Sequence, residues 1–227
     1  MSLALRLSLL LILAGCAEQL LMVSDSDWQT VPPAQRATLD KKYEADLAAA
    51  QAELTAAQAS LAALPRDQAA MARPPRPTTQ VSPIAEGDVW GAFLRDRELA
   101  RGEAYVRVEA ATGTVQRADA SWRQLRADTA RARLTMLTGQ RELFRAQAVN
   151  RALPGDETYE TAPLRGQFSQ AQQRWYAVAT KARDARDALE RASRDLASSK
   201  EAYAQLMRAS PINMPEPALA DDLNAPI

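Results

Sequence analysis

The chain holds a single cysteine, Cys16, and no histidine. One thiol cannot build a thiolate metal cluster, and without imidazole there is no His-based triad and none of the common zinc or haem ligation. The other groups able to do chemistry are carboxylates, and they stand among arginines at helix-surface spacings. Asp184, Asp187, Glu190 and Asp195 interleave with Arg183, Arg186, Arg191 and Arg194, a pattern expected of solvated i,i+3 and i,i+4 pairs rather than of a catalytic acid and base. Asp156, Glu157 and Glu160 lie close together without the residue order of an EF-hand, so a polar turn is expected there. No GxGxxG, P-loop, GxSxG or HExxH sequence occurs. The expectation is a protein that is not an enzyme, with no cofactor and no metal.

Cys16 itself lies at the end of a short apolar run. In MSLALRLSLLLILAGC, Arg6 supplies a positive n-region, Leu7 to Leu13 an apolar h-region broken by Ser8, and Ala14-Gly15 the small residues before a cleavage point. The run is too short to span a bilayer, which takes about 20 apolar residues. The final four residues, Leu13-Ala14-Gly15-Cys16, resemble the lipobox of bacterial lipoproteins. An ordinary secretion signal with an incidental cysteine is the alternative. The resemblance implies that residues 1–15 are removed and that Cys16 becomes the first residue, carrying a diacylglyceryl thioether and an N-acyl chain. Two or three acyl chains anchor stably where one binds reversibly. Ala17, rather than Asp, follows the cysteine, and by resemblance to enteric lipoproteins this favours the inner leaflet of the outer membrane, facing the periplasm.

The elements that follow are helical by composition. Gly is rare at 8 and aromatics make up 5% of the chain, while Ala, Arg, Leu, Gln and Glu crowd its middle, the composition of long helices. Formal charge balances at 28 against 28, so no nucleic acid partner is expected. Residues 16–33 read as a lipidated tether: apolar from Leu20 to Val23, then acidic and polar, then a Pro pair. A first helix is predicted over 34–64, stopped by Pro65, with a Leu/Ala seam through Tyr43, Leu47, Ala50, Leu54, Ala57, Leu61 and Leu64. Burial of that seam within the chain is one expectation, and recruitment of a second copy through it, giving a homo-oligomer, is the other. Residues 65–83 contain five prolines and read as an extended linker.

The rest predicts an all-α, elongated antiparallel coiled-coil hairpin over 84–209, with a tip loop at 154–163 and a flexible acidic tail at 210–227. Heptads place Val115, Trp122, Leu125, Gly139 and Leu143 on one seam and Trp175, Ala182, Leu189, Leu196 and Tyr203 on the other. With Leu153 set opposite Phe168, every large aromatic meets a small residue: Ala146 faces Trp175, Gly139 faces Ala182, Trp122 faces Ser199 and Ala118 faces Tyr203. That alternation is what close packing rewards. Residues 113–152 carry eight Arg against three acids, and 164–209 carry nine Lys or Arg against five acids. The tip, with Asp156, Glu157, Tyr159 and Glu160, is a candidate protein contact. The function expected is a lipid-anchored periplasmic structural or adaptor protein that docks to an envelope protein assembly. A lipid or small-molecule carrier with a cavity between helices is the alternative.

Overall fold

A computed structural model of the chain describes residues 20–71, 89–153 and 159–208. Among them there is no strand. The elements in chain order are α1 (Asp25–Trp28), α2 (Pro33–Ala70), α3 (Val89–Ala152) and α4 (Thr161–Arg208). The two long helices, α3 and α4, pack against each other. The signal segment 1–15, Cys16, linker residues 72–83, tip residues Asp156 and Glu157 and the tail 210–227 lie outside the described residues.

Two compact units make up the chain. One comprises Met1–Ala62 and Arg123–Arg183, the other Ala63–Trp122 and Asp184–Ile227. In the first, α2 lies along α3: Leu54 and Ala57 share a buried cluster with Ala127 and Ala130, and Ala50 shares another with Met136, Leu137 and Ala171. Small residues on both helices allow this close approach, and Leu47 and Trp175 fill the space beside Ala50. Tyr43, Ala50, Leu54 and Ala57 are all buried within the chain. Those four seam residues of the first helix are thus buried within the chain, and Leu47, Leu61 and Leu64 are half-buried. Burial, followed by the charge of Asp46, pushes the Tyr43 phenol above its ordinary 10.0.

In the second unit α3 and α4 meet through Ala104, Tyr105, Val108 and Tyr203, with Leu196 and Leu206 at the margin. The rings of Tyr105 and Tyr203 stand edge to face at 6.1 Å, a geometry aromatic quadrupoles favour. Arg101 Nε donates to the Leu206 carbonyl at 3.3 Å.

These contacts correct the expected pairing. Tyr203 packs beside Ala104 rather than Ala118. In the first unit, a Cβ placed on Gly139 would stand 3.7 Å from Phe168 Cα, so Gly139 faces Phe168 rather than Ala182. Ser199 shares a groove with Ala104 and Arg107, fifteen residues or more from Trp122 along the same helix. In each unit the observed partner on α3 or α4 differs from the expected one by fourteen residues, two heptads. A shift by whole heptads leaves every seam stripe in place, so only the matching of large with small residues distinguishes the registers, and that matching does not hold here. In the first unit residues 20–31 pack on the last turns of α3 and the first turns of α4 together, through Leu143, Ala146, Val149 and Leu164, a contact that two paired helices alone do not contain.

Three boundaries also differ. Pro65 lies inside α2 rather than after it. A proline removes one backbone bond and crowds the preceding turn, yet the helix continues, and beyond it Gln68 Nε2 donates to the Gln116 carbonyl at 3.1 Å while Gln116 Nε2 donates back to the Gln68 carbonyl at 3.5 Å. Thr161 opens α4, so Pro163 falls in its first turn, where no intrahelical N–H is needed. And residues 20–33 do not hang free.

Candidate functional site

The segment expected as a tether is fastened, from Leu20 on, to the loop end of the α3–α4 pair. Its local structure follows from its sequence. Ser24 caps α1, its Oγ accepting from the Asp27 amide at 3.2 Å, and Asp25 and Asp27 occupy the positive N-terminal turn. Pro32 and Pro33 then redirect the chain into α2. This short turn presents Trp28, with Val23 and Val31, to Leu143, Ala146, Val149 and Leu164, and these residues form one buried cluster.

Polar bonds surround that cluster. The Val23 amide donates to Glu142 Oε2 at 3.0 Å, the Leu21 amide to Gln167 Oε1 at 3.1 Å, and the Ser24 amide to the Tyr159 hydroxyl at 2.8 Å. Glu142 is fully buried. Its Oε1 faces Arg141 at 2.8 Å and Arg145 at 3.4 Å. Arg145 in turn lies 4.7 Å from the centre of the Trp28 ring and reaches Asp25 at 3.6 Å. A carboxylate removed from water is costly unless charges and donors surround it, and here two guanidinium groups and a backbone N–H do so.

Tyr159 closes the other side. Its hydroxyl donates to Asp27 Oδ2 at 2.7 Å, while its own amide donates to Asn150 Oδ1 at 3.1 Å and its carbonyl accepts from Asn150 Nδ2 at 2.8 Å. Asn150 thereby pins the chain entering α4 to the last turns of α3. The hydrogen bonds from Ser24 and then Tyr159 hold the Asp27 carboxyl below its ordinary 3.8, with desolvation opposing them weakly.

The site therefore uses some predicted residues differently from expectation. Tyr159, expected at a tip contact, is engaged within the chain, and Glu160 is exposed. Of the seam residues, Val115, Gly139, Leu143 and Tyr203 are buried, and Trp122, Leu125, Trp175, Ala182, Leu189 and Leu196 are half-buried. The charge pairing on α4 includes Arg186 with Glu190 at 3.1 Å, both well exposed, a solvated pair of small energetic worth. The buried Glu142 and Arg145 were not foreseen. Heptad reading of α3 as half of a two-helix coil puts them on a wet flank. A second stripe, Ala127, Ala130, Leu134, Leu137 and Ala148, is present in the sequence and marks α3 as buried on two sides.

Chemically, the arrangement joins residues 20–31 to α3 and to the start of α4. Among the described residues no group of three or more Asp, Glu, His or Cys could hold a metal ion, and no helix is long and apolar enough to cross a membrane. A groove of about 240 Å³ lies over Ala132, Thr135, Ala171 and Val178 in the first unit. No family model, curated protein or solved structure matches the chain.

Proposed function

We propose that the protein is a lipid-anchored structural adaptor of the bacterial cell envelope. Acyl chains on Cys16 hold it to the inner leaflet of the outer membrane, and its coiled-coil helices dock to a protein assembly in the periplasm. The observation that carries the reading is the fastening of residues 20–31. Four residues after a lipobox cysteine, the chain stops being a tether and becomes part of the helical body through Glu142, Arg145, Tyr159 and the Val23–Trp28–Val31 cluster. A load applied to the helices is thereby passed to the anchor with little slack, which suits a scaffold. Seams alternating large and small residues every seven positions support coiled-coil pairing of α3 with α4. The excess of arginine on both arms suits an acidic partner.

Crosslinking of intact envelopes followed by affinity purification, in wild type and in Cys16→Ala, tests this. The reading expects defined protein adducts in wild type that are lost or sharply reduced in Cys16→Ala. Identical adducts in both would remove any role for the anchor, and an absence of adducts in both would remove the adaptor.

A further inference from the structure

At the start of the fastened segment, nearest the lipobox cysteine, two adjacent apolar side chains are about half exposed. Leu21 is 49% exposed and Met22 54% exposed, although Val23 beside them is 4% exposed. They are not loosely held. The amide of Leu21 is bonded to Gln167 and that of Val23 to Glu142, so the backbone on both sides of Met22 is fixed and the two side chains are presented outward. Leu20, half-buried, lies the other way, with its Cδ2 3.9 Å from where a Gly139 Cβ would stand.

We infer that this Leu21–Met22 face is apposed to a lipid bilayer, with the two side chains entering its interfacial region. The inference rests on the lipid anchor proposed above. An extended chain covers at most about 3.6 Å per residue, so Cys16 lies within about 14 Å of Leu20. The glycerol carried by the cysteine sits at headgroup level, and apolar side chains bind about 5–10 Å into the headgroup and acyl boundary. Both side chains are therefore within reach of the interface, and the rigid backbone turns that reach into a fixed orientation. The loop end of α3 and α4, with Glu160 and the chain around Tyr159, consequently lies beside the membrane. A partner reaching the tip from across the periplasm would find it occupied.

The test uses full-length acylated protein purified from membranes, whose Cys16 sulfur is blocked, so that an introduced cysteine is the one free thiol. Met22→Cys and, as a control on the exposed face of α2, Gln58→Cys are labelled with bimane. Both are placed in phosphatidylethanolamine and phosphatidylglycerol vesicles containing a nitroxide lipid. The inference expects quenching at position 22 about twofold or more above that at position 58, as for a probe held at the interface. The mass of the Cys16 peptide is measured in the same preparations. Equal quenching at both positions with Cys16 acylated overturns the bilayer face and leaves the anchor standing. A Cys16 peptide without acyl chains overturns both.

Discussion

The Val23 amide donates to the buried carboxylate of Glu142 at 3.0 Å, across 119 residues of chain. The same carboxylate pairs with Arg141 and Arg145. Glu142→Ala leaves Arg145, nearly buried, and Arg141 facing each other without their shared counter-charge, and breaking a buried ionic group in this way costs about 3–5 kcal/mol. Glu142→Gln keeps an acceptor for Val23 and should lose somewhat less. Urea unfolding would measure both, and limited proteolysis should show earlier cleavage within residues 20–31 in each variant.

Acid should loosen the same segment. The Asp27 carboxyl is held below its ordinary 3.8 in the folded chain. Its stabilisation is thus fully present above the unfolded value and is lost as pH falls through the folded one. Asp25, Glu142, Arg141 and Arg145 face the same turn, so the contribution of Asp27 is the difference between wild type and Asp27→Asn. Trp28 fluorescence followed from pH 6 downward should show release in wild type below about pH 4. Asp27→Asn should show a weaker hold at neutral pH and a flatter response in that acid window.

The pairing of α3 with α4 can be fixed by thiol crosslinking in a Cys16→Ser background. Cysteines at Tyr105 and Tyr203, which share one buried cluster with ring centres 6.1 Å apart, should be bridged by a short bifunctional thiol reagent. Cysteines at Trp122 and Ser199 should not, because Ser199 shares its groove with Ala104 and Arg107. Efficient crosslinking of the second pair alone would restore the alignment expected from the seam residues taken by themselves.

Gly139 offers a graded check in the first unit. A Cβ there meets Phe168 and Leu20 at ordinary contact distances of 3.7 and 3.9 Å. Gly139→Ala should therefore be neutral to stabilising, by up to about 1 kcal/mol from helix propensity. Gly139→Leu has no such room and should cost about 1–3 kcal/mol by overpacking. Thermal melts of the two variants give the comparison.

The helices were legible from periodicity, and so were the residues that line them. Phe168, Trp175, Tyr203 and the positions between form the least exposed stripe of α4, because a seven-residue repeat dictates which face is dry. The alignment of one helix against the other was not legible, since a slide of two heptads keeps every stripe on its face. Leu20 to Val31 were misread for a related reason. The stretch is short, acidic and flanked by prolines, which reads as a linker, and its four-residue helix has no periodicity to detect. Val23, Trp28 and Val31 are apolar residues whose partners, Leu143, Ala146 and Val149, lie over 100 positions away. Pro65 was a stop by local rule, and side-chain bonding between Gln68 and Gln116 accompanies the helix past it.

The proposed role requires that Cys16 carry the anchor to which these helices are fastened. The most direct measurement is fractionation of envelopes combined with mass determination of the Cys16 peptide, in wild type and in Cys16→Ala. The expected result is a wild-type protein with a cleaved N-terminus at an acylated Cys16, recovered with outer membrane and released by detergent but not by salt, and a soluble Cys16→Ala protein. An unmodified Cys16, or a Cys16→Ala protein that stays with the outer membrane as wild type does, would contradict it.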